Sequence, residues 1–297
     1  MRWLIVAFIS PILHGFANIE DNYLSNKLFK SVWTLTFYSV LFGALFLPLV
    51  FIFSIPALPP LHLLPYFIII AAIEVLYLFP YYKSLQADDT SIVTSLFSLG
   101  RIFVPILAFI FVGEVLRVSQ YVGFTVIVVG SAALTLDHPR GTLRFNKAFL
   151  YMLVCSTLLA IEAVIYKYLF ETVSWSTGFV WTTLISFLFA LCFLLIPKLR
   201  RDIVRQAGNF GRHIKVFAFE ELLTFGGSAA AVYAISLVPV TLVEAVEAFQ
   251  PLFVLFYAVL FERYAPRIFH EHIDRKSVMK KSLLFIIMVL GIYLVAR

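Results

Sequence analysis

Arg101 is a lone cation in the middle of a long apolar stretch, and a guanidinium is the side chain best built to hold a carboxylate or a phosphate. A charge at the centre of a spanning helix costs about 2.5–3.5 kcal/mol on insertion scales, so it faces a cavity or a partner. Ser91, Thr94, Ser95 and Ser98 precede it at helical spacing, one polar stripe on an apolar helix. Two readings stay open. Arg101 is a fixed cation on a cavity wall, attracting an anionic group on a solute, or it is held in an internal ion pair with Glu74.

Acids form the second group. Thr241, Glu244 and Glu247 share roughly one face with Ala248 and Pro251, and Pro251 breaks the hydrogen-bond ladder one turn further on. Carboxyl groups desolvated in a protein interior can exchange protons near neutrality, which suits coupling to a proton gradient. Glu244, Glu162 and His14 are the candidate proton-coupling residues. Arg101, Ser98, Ser95, Thr94, Glu74, Asn18 and Glu247 are the candidate substrate-binding set. Each has a plainer reading. The acids sit solvated near helix ends, Lys167 neutralises Glu162, Glu244 or Glu247, and His14, with Asn18 and Asn22 on the same helix, makes a helix contact. Glu220 and Glu221 are read as interfacial, and the small residues after them, Gly226 to Ala231, as packing. His270 and His272 around Glu271 have a spacing too common to imply a metal, and no metal or cofactor is expected.

These side chains need elements to carry them. The chain has 297 residues, of which 62% are hydrophobic and 13% charged, with mean hydropathy +0.96. Soluble domains are nearer half apolar and a quarter charged, so this is an integral membrane protein, and spans that satisfy their own backbone make it all-α. Apolar runs long enough to cross a bilayer fall at 3–20, 32–53, 63–83, 90–112 and 118–136, then at 147–169, 175–196, 215–237, 240–262 and 281–296. The first run, with Arg2 and small residues, also has the look of a signal peptide, but Pro11, His14 and its polar stripe favour a retained helix. Cys155 and Cys192 sit inside apolar runs and indicate no disulfide.

The net charge of +6 lies in short links rather than in a patch for nucleic acid. One side carries Arg2, Arg117, Lys167 and Arg297. The other carries Lys27, Lys30, Lys83, Arg140, Arg144, Lys147, Lys198, Arg200, Arg201, Arg205, Arg212, Lys215, Arg263, Arg267, Arg275, Lys276, Lys280 and Lys281. The positive-inside rule makes the second side cytoplasmic and both termini external.

The ten segments divide five and five at the 136–147 link, giving halves at 1–138 and 139–297. Ser84-Leu85 and Ser236-Leu237 each close a third segment of their half, Ser91 and Thr241 each open the next, and Glu114 and Glu262 each end it. Lys167 aligns with Asn22 and Gly130 with Gly291, while Leu284 stands opposite Gly123. Internal repeats of membrane helices are a transporter signature. The arrangement resembles the EamA-type transporters of the drug/metabolite transporter superfamily over essentially the whole chain. It departs from them where Arg101 occupies the usual proline position of the fourth helix and Pro251 keeps it in the ninth. The resemblance implies ten helices as two inverted five-helix repeats in the inner membrane, cytoplasmic termini, and export of amino acids, other metabolites or drugs by alternating access.

The expected function is a proton- or gradient-coupled secondary transporter for a small solute, with Arg101 tilting the choice toward an anionic group. The expected cavity is lined by the first, third, fourth, sixth, eighth and ninth segments of a monomer or homodimer. No phosphate-binding loop points to ATP as the drive. The alternatives are a membrane-embedded enzyme acting on a lipid or lipid-linked substrate, against which the scatter of the acids argues, and a membrane sensor that moves nothing.

Overall fold

The computed structural model describes residues 2–29, 31–88, 90–133, 147–261 and 275–296, with the backbone alone over 275–282. Glu262, His270, Glu271, His272 and the 136–147 link up to 146 lie outside the described residues. Every described regular element is helical. Seven helical stretches are long and apolar enough to cross a membrane: Arg2–Leu28, Val32–Ile52, Leu61–Leu85, Thr90–Val112, Lys147–Leu169, Trp175–Leu195 and Val240–Phe261. Two shorter apolar stretches, Val118–Ala133 and Leu283–Val295, fall on the fifth and tenth segments. The eighth is the 24-residue helix Ile214–Leu237, whose polar load is Lys215, Glu220 and Glu221.

Local chemistry sets where these helices begin, end and break. The second starts at Ser31, whose hydroxyl accepts from the Thr34 N–H at 3.4 Å, and the seventh at Ser174, which accepts from the Thr177 N–H at 3.2 Å. The fourth ends at Gly113, with φ of 68°, where any side chain would be strained. The third is interrupted at Tyr77, between Leu64–Leu76 and Leu78–Leu85. The fourth runs as Thr90–Ser95, Ser98–Arg101 and Val104–Val112, and the ninth as Val240–Glu247 and Gln250–Phe261. Proline explains two of these breaks. Pro105 cannot donate to the carbonyl of Arg101, four residues earlier, nor Pro251 to that of Glu247. Both loosened turns therefore fall beside a charged side chain.

Close helix contacts are made by small residues, as membrane packing favours. A Cβ on Gly100 would overlap the Ser156 carbonyl oxygen, so the fourth and sixth helices touch backbone to backbone. Gly123 meets the Gly291 carbonyl in the same way, locking the fifth helix to the tenth.

One segment differs from the sequence reading. Pro197–Arg212, taken as a basic link, is a 16-residue amphipathic helix with Ile203 buried. Asn209 Nδ2 donates to the Leu28 carbonyl at 2.6 Å, Tyr38 Oη donates to the Ile203 carbonyl at 2.9 Å, and Tyr38 and Phe210 stack at 4.2 Å. Its apolar side clamps the ends of the first and second helices. Its Lys and Arg residues face outward, as on a helix lying in a membrane interface.

Candidate functional site

A cavity of about 280 Å³ lies at the centre of the helices, near the lower end of ordinary small-molecule sites. The first, third, fourth, sixth, eighth and ninth helices line it as expected. The second and seventh also contribute, through Ser39, Gly43, Phe179 and Ser186.

Arg101 reaches this cavity from the broken turn of the fourth helix, and two of its three guanidinium nitrogens are engaged while Nη1 has no partner. Its Nε donates to Glu244 Oε2 at 3.2 Å and its Nη2 to Gln250 Oε1 at 3.4 Å, while its Cζ lies 5.9 Å from the centre of the Phe97 ring. The pair is well shielded, at 8% and 15% side-chain exposure. The ion pair expected from the sequence exists, but its acid is Glu244 across the two halves rather than Glu74. The reason is the pairing of the two broken helices, which sequence distance cannot show.

Glu74 is spoken for elsewhere. Its two oxygens accept from Tyr166 Oη at 2.8 Å and from Ser186 Oγ at 2.5 Å, and Thr182 Oγ1 lies 2.6 Å from the same phenol. This knot ties the third, sixth and seventh helices together.

The hydroxyl stripe does not form the cavity wall. Thr94 and Ser95 return their hydroxyls to the Ser91 carbonyl at 3.2 and 2.7 Å, and Ser98 donates to Ser131 on the fifth helix at 2.8 Å. None of the three is among the lining residues. A polar helical stripe in a membrane protein can seal a helix interface as readily as face water, and here it does the former.

The remaining candidates do line the cavity. His14 sits between Ser10, with Nδ1 3.2 Å from its Oγ, and Ser228, with Nε2 3.3 Å from its Oγ. Asn18 Oδ1 accepts from Tyr81 Oη at 2.6 Å, and the same phenol lies 3.0 Å from Asp21 Oδ2. Glu162 and Glu247 are both on the wall. Glu220 and Glu221, read as interfacial, are instead 1% and 4% exposed and face the cavity. They are carried inward because the eighth helix starts at Ile214, six residues earlier. Lys167 neutralises none of the acids named for it. Its amine donates to the Ile235 and Val238 carbonyls at 3.1 and 2.8 Å, closing the end of the eighth helix.

Asp21, Ser10 and Gln250 were missed in the sequence. For Ser10 and Asp21 the signal was present: positions 10, 14, 18 and 21 keep helical spacing, whereas the reading took the stripe through Asn22. Asn22 points away and donates to Thr90 Oγ1 at 2.7 Å.

The charge balance of the site follows. Among the described residues Asp21, Glu74, Glu162, Glu220, Glu221, Glu244 and Glu247 line the cavity, against the single guanidinium of Arg101 and no lysine. Four oxygens of these lining acids have no hydrogen-bond partner although buried, Asp21 Oδ1, Glu162 Oε2, Glu220 Oε2 and Glu247 Oε1, and so do two donors on the wall, Asn18 Nδ2 and Arg101 Nη1. Such groups are costly to leave bare and mark where a ligand or a proton completes the site. Among the described residues no group of three or more His, Cys, Asp or Glu is placed to hold a metal ion.

Outside the cavity the halves are stitched by Glu114. Its carboxylate accepts from the Val240 N–H at 2.8 Å and the Thr241 N–H at 3.1 Å, capping the ninth helix. On the opposite rim Asn26 Nδ2 donates to the Leu85 carbonyl at 2.9 Å, much as Lys167 does to Val238. These are not the residues the repeat pairs: Lys167 aligns with Asn22, whose amide goes to Thr90 Oγ1.

Residues 1–136 match the model of the EamA-like transporter family. A solved structure described only as a crystal structure of a protein matches with a TM-score of 0.68 at 13% identity, covering 99% of this chain and 95% of that chain. At that identity the likeness is one of fold alone. None of the curated proteins is a match. The match covers just under half of the chain, and the apolar helical stretches support a multi-pass membrane protein whose residues 1–136 are similar to that transporter family.

Proposed function

We propose that this EamA-type chain is a secondary transporter, carrying a small solute through the central cavity by alternating access. The observation that carries the reading is the placement of Arg101, Glu244 and Glu247. They sit at the two loosened turns, one in each half, and meet inside the cavity. Discontinuous helices crossing near mid-membrane form binding sites at the interface of transporter repeats.

In this reading 1–138 and 139–297 are two inverted five-helix repeats, the shorter fifth, eighth and tenth segments also span, and the halves rock about the cavity. The fifth and tenth helices, locked at Gly123 and Gly291, form a fixed contact between them. The drive is a proton or solute gradient. The buried acids support proton exchange, with Glu244, Glu162 and His14 as coupling residues. Of the guanidinium expected to favour an anionic group, Nε and Nη2 are taken by Glu244 and Gln250 and Nη1 is without a partner, among seven lining carboxyl groups that favour a cation. The basic residues of the 197–212 helix and neighbouring links support the inner membrane with both termini outside, and a reporter fused at Arg297 that is active only in the cytoplasm would reverse that topology.

Counterflow in proteoliposomes tests the function. Labelled glutamate, lysine, choline and putrescine are offered with the same compound unlabelled inside, and at least one is expected to accumulate transiently. Turnover of lipid without any flux would favour the embedded-enzyme reading instead.

A further inference from the structure

Two groups of the cavity's acids lie at different depths. Glu221 lies seven residues inside the start of the eighth helix and Glu247 seven residues inside the start of the ninth. Consecutive helices enter from opposite faces, so each acid is about 10 Å of helical rise from its own face. In a hydrocarbon layer of about 30 Å that leaves roughly 10 Å of depth between them. Asp21, near the end of the first helix, joins the Glu220–Glu221 level.

At both levels carboxyl oxygens are bare. Asp21 Oδ1, Glu220 Oε2 and Glu247 Oε1 have no partner, in residues only 6%, 1% and 7% exposed that face the cavity. Among the described residues the one lining arginine, Arg101, gives Nε and Nη2 to Glu244 and Gln250 and has only Nη1 without a partner. An anionic solute would find that single N–H group in a chamber lined by seven carboxyl groups. A chelated metal finds no cluster among the described residues.

We infer that the ligand of this cavity is an elongated organic polycation, a di- or polyamine, with one ammonium between Asp21 and the Glu220–Glu221 pair and another at Glu247. The inference rests on the transport reading of the cavity and adds its substrate class. Each ammonium supplies N–H donors to oxygens that otherwise have none, and the Arg101–Glu244 pair stays intact between the two ends. Tyr and Phe rings along the wall suit the alkyl chain and the cationic heads. Where a carboxyl group is protonated before binding, it loses that proton as the ammonium arrives, so charge balances by exchange.

The test is a length and charge series on the unaltered protein. Thermal unfolding is followed against spermidine, putrescine, butylamine, tetraphenylphosphonium and glutamate. Spermidine is expected to stabilise saturably, with at least tenfold tighter binding than butylamine, since a second charged hydrogen-bonding end adds that factor or more. Asp21→Asn and Glu247→Gln should each weaken spermidine about tenfold or more while leaving butylamine less affected. Glu171→Gln, exposed and outside the cavity, should change neither. Equal binding of butylamine and spermidine, stabilisation by tetraphenylphosphonium alone, or stabilisation by glutamate alone would each overturn the polyamine assignment. Counterflow separates the two claims. Flux of glutamate or lysine without flux of amines defeats this inference and keeps the transporter. Spermidine binding with the stated dependence but no flux of any solute defeats the transporter.

Discussion

Replacing Arg101 by Met removes the one cation that the cavity's acids share. In the folded chain its Nε and Nη2 serve Glu244 and Gln250, and both members of the ion pair are shielded. Breaking a buried pair by removing one partner costs about 3–5 kcal/mol, because the other charge is left uncompensated. The 15% exposure of the Glu244 side chain and the cavity beside it place this case near the lower end, about 3 kcal/mol. Arg101→Met combined with Glu244→Gln leaves no bare charge and should recover at least about 1.5 kcal/mol of that loss. The assay is a double-mutant cycle by reversible denaturant unfolding in detergent, read from both the single variants and the pair. Losses that simply add would refute the reasoning, since they would mean that Arg101 and Glu244 do not depend on each other.

Three further outcomes follow from single contacts. Gly100→Ala should cost about 3 kcal/mol or more in the same unfolding assay, because the added methyl meets the Ser156 backbone rather than a movable side chain. Glu114→Ala should cost about 0.5–2 kcal/mol through loss of the cap on the ninth helix, and faster amide exchange at Val240 and Thr241 would locate that loss. Ser98→Ala should leave solute binding unchanged and cost only about 0.6 kcal/mol, the ordinary worth of a hydrogen bond between membrane helices. A large fall in affinity would return Ser98 to the binding site.

Much of the fold was legible in the sequence, because the cost of burying backbone in lipid writes each span as an apolar run of fixed length. The segment limits 32–53 and 90–112 fall within a residue of the helical stretches Val32–Ile52 and Thr90–Val112. The amphipathic helix 197–212 was not read, since its charges mask the few apolar residues, Ile203 and Phe210 among them, that hold it down. Within the site, His14, Asn18, Arg101, Glu162, Glu244 and Glu247 were found because a charged or strongly polar group in an apolar helix stands out at once. What failed was direction. Helical spacing shows that Ser91, Thr94, Ser95 and Ser98 share a face, yet not whether that face meets the fifth helix or the cavity. The partner of Arg101 was beyond reach for the same reason, since 143 residues separate it from Glu244. Pro105 offered the missed clue: lying four residues after Arg101, as Pro251 does after Glu247, it marks a break of the same kind in the fourth helix.

The central claim is that the cavity opens to each side of the membrane in turn, and this can be measured without knowing the solute. A cysteine at Ala231, on the cavity wall, is placed in a Cys192→Ser background, since Cys192 is the exposed natural thiol. A membrane-impermeant maleimide is then applied to right-side-out and to inverted vesicles. Alternating access predicts labelling from both faces. Labelling from a single face under every solute and pH condition would contradict it.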